Sequence, residues 1–131
     1  MGNQIFNNYS ELNDNLKKEK SLYKYKVEYY TKRGNIDNSF LIKLINNNNK
    51  GIKTKLKFYP SSVGILDNNT QLSFSYYNIM SWGTYKNFFC FSTKNDTYYF
   101  KLKNIDPKII SSKISLICHN ILNENSHSKL D

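Results

Sequence analysis

The sequence predicts a mainly β domain in which seven antiparallel strands are followed by one C-terminal amphipathic helix. Three observations carry this. From Leu22 onward, apolar residues recur with a period of two in one short run after another. The turns between those runs are too short to hold a crossover helix, so neighbouring strands must be antiparallel. Behind Asp106-Pro107 the period switches to helical spacing. A chain of 131 residues is long enough to bury one core without staples, so a single domain is expected.

Ahead of the strands, NNYSELNDNLKKEKS reads as a short helix, with Asn8 as N-cap, Glu11 at the capping-box position, and Tyr9, Leu12 and Leu16 on one face. The first strand sets Tyr23, Tyr25, Val27 and Tyr29 against Lys24, Lys26, Glu28 and Tyr30. Gly34, Asn35, Asp37 and Asn38 make a turn into SFLIKLI, expected as the second strand with Phe40, Ile42 and Leu44 inward. After NNNNKG the third strand alternates Ile52, Thr54, Leu56 and Phe58 with Lys53, Lys55 and Lys57. Pro60-Ser61-Ser62 turns it into SVGILD, and Asp67-Asn68-Asn69 turns again into QLSFSYYNI. NFFCFST and DTYYFKLK form the last hairpin across Thr93-Lys94-Asn95. Asp106 then caps a helix with Pro107 at its first position and a stripe of Ile110, Ile114, Ile117, Cys118 and Ile121. These boundaries give an N-terminal extension over 1–21, a domain over 22–122 and a polar tail over 123–131.

This order of elements resembles the pleckstrin-homology-like (PH-like) superfamily, in which one C-terminal helix plugs an open end of a seven-stranded bent barrel. VGIL, SYYNIMSW, FFCFST and YYFKLKN, leading into the helix, look like the second half of phosphotyrosine-binding domains and of the third FERM lobe. Ile79 and Trp82 match the Ile-x-x-Trp that recurs at the end of their fifth strand. The likeness covers 52–122 well, and 22–51 only by strand order. It implies a structural place for Trp82 and a choice of ligands, from phosphoinositides around the first loop to peptides added along the fifth strand. The prefix MGNQIF also resembles the acylated inner-membrane-complex sub-compartment proteins of apicomplexan parasites, which implies a myristoylated Gly2. The chain departs from them at Ile5 and Phe6, because they carry Cys close behind Gly2 and the acylation pattern has Ser or Thr at the position of Phe6.

The formal net charge is +9, which would ordinarily point to an acidic partner. Asn, Lys, Ile and Tyr dominate, however, and all have A/T-rich codons, while Arg33 is the only arginine. Lysine is then the default for any wet position, and the Lys53-Lys55-Lys57 comb reads as the solvent side of a strand. PH-like domains that bind inositol phosphates place basic residues late in strand one and a basic pair in strand two. Lys26, Lys32 and Arg33 supply the first. The expected second strand offers only Leu41-x-Lys43, so tight headgroup binding is not expected. A phosphotyrosine clamp is not expected either, since Arg33 lies in the wrong segment. Backbone-mediated peptide addition along SFSYYN beside the helix needs no such residue.

Cys90 and Cys118 lie in apolar runs with no metal-ligand spacing, and no metal or other cofactor is expected. Cys118 and His119 are neighbours on a helix and point about 100° apart, so they do not form a nucleophile pair. No Gly-rich phosphate loop or carboxylate pair is present, and the reading is a non-enzyme. The N-terminus lacks the apolar core of a secretory signal. Gly2 followed by Lys17, Lys18 and Lys20 pairs a possible acyl site with a basic cluster. The expected function is a scaffold or peripheral module at a cytoplasmic membrane face, with an anionic membrane surface and a protein or peptide as partners. The alternatives are a phosphoinositide-binding domain or a small basic nucleic-acid-binding barrel, the latter disfavoured because no RNP-like aromatic motif is present.

Overall fold

Strand β1, Tyr23–Arg33, is eleven residues long and serves both halves of the sheet. Its residues Tyr23 to Tyr29 pair with β2, Ile52–Phe58, while Val27 to Arg33 pair with β7, Asp96–Leu102. The computed structural model describes residues 19–66 and 71–130, with side chains as far as residue 124. Strands β3 (Ser62–Leu66), β4 (Gln71–Ser75), β5 (Ser81–Tyr85) and β6 (Phe88–Ser92) complete one antiparallel sheet ordered β4-β3-β2-β1-β7-β6-β5. The sheet curls into a half-barrel, and helix α2, Pro107–Leu130, caps it, as in a PH-like fold. The short helix expected over residues 8–21 falls almost wholly outside the described residues.

The concave face holds the main core. Leu56, Phe58, Val63, Phe89, Phe91 and Phe100 are buried there, and Ile110, Ile114 and Ile117 of α2 close over them. Phe100 stacks on Phe89 and on Phe91, with ring centroids 6.0 and 5.5 Å apart. Asp106 caps α2 by accepting from the backbone N–H of Lys108 at 3.0 Å, with Pro107 at the first helical position where no hydrogen bond is lost. The helix runs on past Asn123 to Leu130.

SFLIKLI is not a strand. It lies in helix α1, Asn38–Asn46, and the reason is on the other side of the sheet. Strands β6 and β7 are apolar at consecutive positions, so Phe88, Cys90 and Tyr99 face outward and need a cover. Leu41 and Leu44, spaced as a helix spaces them, bury against these three residues in a second core. Ile42, which strand alternation places inside, is 44% exposed. QLSFSYYNI also divides. Ser75 caps a 3-10 turn at Tyr76–Asn78, and the following SWGTY becomes β5. The strand count stays at seven with this exchange of members.

Asp37 holds α1 in place. Its carboxylate accepts from the backbone N–H and the hydroxyl of Ser39 at 2.9 and 2.7 Å and pairs with Lys32. Its own backbone N–H donates to the Tyr99 hydroxyl at 2.9 Å. Gly51 brings the chain back into β2 where space is lacking, since a Cβ there would stand 2.8 Å from the Tyr29 carbonyl oxygen.

The hydrogen bond from Lys32, then those from Ser39, keep the Asp37 carboxyl well below its ordinary value of 3.8. A lowered carboxyl pKa contributes stability that is present above about pH 4 and is lost as pH falls. Asp37→Ala removes the cap and the partner of Lys32, and it should lower the urea midpoint at neutral pH. Asp37→Asn should keep much of the cap while losing that part of the acid sensitivity, which a pH series of melting midpoints would reveal.

Candidate functional site

Strand β5 ends the sheet order, so among the described residues one of its edges has no strand beside it. Unpaired N–H and C=O groups along an edge are a template for one more strand. Beside it lies a cleft of about 750 Å³, lined by Thr84 of β5 and by Lys108, Ser111, Ser112, Ser115, Leu116 and His119 of α2. The helix stripe explains the lining. With Ile110, Ile114 and Ile117 turned into the core, the serines fall on the face that looks toward the cleft. Their small side chains leave room that Leu or Lys would fill. Leu116 is 53% exposed in the cleft, and Met80, just ahead of β5, is 71% exposed.

Trp82 joins the two walls. Its ring packs half-buried against the main core, and its indole N–H donates to the Ser115 hydroxyl at 3.0 Å. Ser115 in turn donates to the Ser111 carbonyl oxygen one turn back, at 2.9 Å. The structural role expected for Trp82 is thus combined with a hydrogen bond that fixes α2 against the edge strand. The edge involved is Ser81–Tyr85 and not SFSYYN, half of which belongs to β4 at the opposite end of the sheet order and half to the 3-10 turn. Serines on α2 carry no motif, and the cleft was not legible in the sequence beyond the presence of a fifth strand next to the helix.

The basic residues singled out around the first loop do not assemble into one site. Lys32 is taken up by Asp37. Lys26 lies six residues back along β1, about 20 Å away at the rise of an extended chain. Arg33 is exposed at the end of β1 opposite Asp96, and Lys43 is exposed on α1. Because Leu41-x-Lys43 belongs to a helix, it cannot be the second-strand pair; the real second strand carries Lys53, Lys55 and Lys57. Lys20 is exposed, while Gly2, Lys17 and Lys18 lie outside the described residues.

Cys90 is buried, and burial pushes its thiol up to about 11. Burial also raises the Cys118 thiol, and His119 shares an exposed contact of 3.2 Å with Asn123. Among the described residues no three His, Cys, Asp or Glu side chains gather as a metal site, and no helix is long and apolar enough to cross a membrane.

No protein-family profile matches the chain, and no curated protein matches it. Solved structures do match. One is the C-terminal domain of an unknown protein from Leishmania infantum, 15% identical, with a TM-score of 0.56 over 87% of this chain and 98% of that one. At that identity the likeness shows the fold alone.

Trp82→Phe keeps most of the packing and removes the bond to Ser115, and it should cost about 1 kcal/mol. Trp82→Ala should cost about 3 kcal/mol, because it also removes the ring from the core. Denaturant unfolding of both variants checks this; equal losses would show that the ring itself contributes little.

Proposed function

We propose that this chain is a non-catalytic PH-like adaptor that takes an extended segment of a partner protein along β5 and is held at a membrane face through its N-terminus. The observation that carries the peptide half is the unpaired edge of β5 facing a cleft whose far wall is α2. A strand added there gains main-chain hydrogen bonds from any sequence, while Leu116 and Met80 offer apolar contacts for alternate side chains. Hydroxyls of Thr84, Ser111 and Ser115 suit a segment with polar residues between its anchors. The membrane half rests on Gly2 as an acyl site followed by Lys17, Lys18 and Lys20. One acyl chain gives only marginal attachment, on the order of 10⁴ M⁻¹, and nearby lysines add roughly 1 kcal/mol each on an anionic leaflet.

Peptides selected from a random display library on the folded chain should slow amide exchange in Ser81–Tyr85. Leu116→Glu should weaken those peptides tenfold or more by titration, since it puts a charge where an apolar side chain would sit. Peptides that bind with β5 exchange unchanged, and that ignore Leu116→Glu, would place recognition elsewhere.

For the membrane half, Gly2→Ala should move the protein from the membrane to the soluble fraction of its native cells. Replacing Lys17, Lys18 and Lys20 by Gln should make attachment weaker and more easily reversed by salt. A Gly2→Ala protein that fractionates as the parent does would exclude acylation as the anchor.

A further inference from the structure

The lysines of β1, β2 and β7 share the outward face of the sheet, on the side away from α2. Register puts Lys24 directly opposite Lys57 and Lys26 opposite Lys55, with Glu28 between Lys53 and Lys101. Neighbours across such strands stand about 5 Å apart, and like charges in that position destabilise a sheet. Lys55 first, then Lys57, lower the pKa of Lys24 from its ordinary value. Glu28 is the one carboxylate among these outward positions, and the Lys32–Asp37 ion pair lies further along β1, at the end that α1 covers.

This face also has a shape. β1 pairs with β7 only from Val27 onward, so among the described residues Tyr23 to Lys26 have β2 on one side and no strand on the other. A groove of about 690 Å³ opens along that seam, lined by Lys24, Lys26, Lys53, Lys55, Lys101 and Lys103. Apolar side chains accompany them. Leu66 lines the groove, and Leu22, two residues before Lys24, is 48% exposed.

We infer that this outward face of β2, β1 and β7 is a contact surface for an anionic lipid bilayer. The chemistry selects that occupant over other polyanions. The positive charges are all lysine, flexible point charges with no guanidinium fork, which suit headgroups that move to meet them more than an anion of fixed geometry. Among the described residues no fully exposed aromatic ring stands among the lysines for a nucleic-acid base to stack on, and Tyr30 on the same face is half-buried. Leucines beside lysines match an interface that is charged at the surface and apolar just beneath it. The layout agrees as well. The chain enters the sheet at the Lys24 end of β1, where the Leu22 N–H donates to the Phe58 carbonyl oxygen at 2.7 Å. The β5–α2 cleft lies on the other side of the sheet and would stay open when the face is covered. The inference rests on the membrane half of the function proposed above, but it depends on neither acylation nor the peptide cleft.

The test uses the full chain made without acylation, mixed with phosphatidylcholine vesicles and with phosphatidylcholine vesicles containing phosphatidylserine. Co-sedimentation should show binding to the anionic vesicles alone, and added salt should reverse it. The combined variant Lys24→Gln, Lys26→Gln, Lys55→Gln and Lys101→Gln should lose between about a hundredfold and a thousandfold in partitioning. It should melt no lower than the parent, because it removes repulsion. A control with Lys43, Lys50, Lys86 and Lys94 each changed to Gln removes the same charge from other exposed positions and should stay within a few-fold of the parent. Equal losses in the two variants would reduce the effect to net charge and overturn the inference. So would binding without preference for phosphatidylserine. Tighter binding to a single-stranded RNA oligonucleotide, abolished by the same four changes, would make the face a nucleic-acid surface instead.

Discussion

Burial of β6 and β7 on both faces is the constraint from which the rest of the fold follows. FFCFS and TYYF put aromatic rings on alternate sides of the sheet, so two separate apolar surfaces have to be covered. Helix α2 covers the concave one with its isoleucine stripe, and α1 covers the convex one with Leu41 and Leu44. Covering one face alone would leave Phe88, Cys90 and Tyr99 in water. The cost of three such side chains is comparable to the whole stability of a small domain. The Asp37 cap matters for the same reason, since it fixes one cover to the strand beneath it.

That division also sorts the surface. The convex side is sealed by α1 over β6 and the Tyr99 end of β7 and left bare over β2, the first half of β1 and the Lys101 end of β7, and the lysines stand on the bare part. On the concave side α2 lies across the core and stops short of sealing the edge of β5. Two open regions result, one basic and one lined by hydroxyls, on opposite sides of a single sheet. Neither disturbs the packing that holds the molecule together.

Much of this was legible in the sequence. Period-two runs located β1, β2, β3, β6 and β7, and Asp106-Pro107 marked the start of α2. What failed was a short apolar segment between two turns. Phe40, Ile42 and Leu44 fit a strand, while Leu41, Leu44 and Ile45 fit a helix, and seven residues do not separate the two periods. The deciding information lay some fifty residues further on, in the two-faced runs of β6 and β7 that demanded a second cover. The break at Ser75 was hidden in a similar way, because QLSFSY keeps its alternation as far as Tyr76, the first residue of the turn. Of the candidate sites, the lysine alternation was visible but its setting was not. Cross-strand register, which stacks Lys24 on Lys57 and Lys26 on Lys55, is a tertiary property. The cleft beside β5 was less visible still, because small serines on a helix announce nothing until the opposite wall is known.

Trp82 is the only tryptophan in the chain, and its indole hydrogen bond bridges an edge strand and the helix opposite. Its emission therefore comes from one place. Excitation at wavelengths that spare tyrosine isolates that seam without any label, and the emission maximum registers how wet the Trp82–Ser115 contact is. Opening of the helix from the sheet, whether by heat, denaturant or an incoming strand, would appear as a red shift separable from the tyrosine background of the core. The fold thus carries its own optical gauge at the position where a partner segment would meet it.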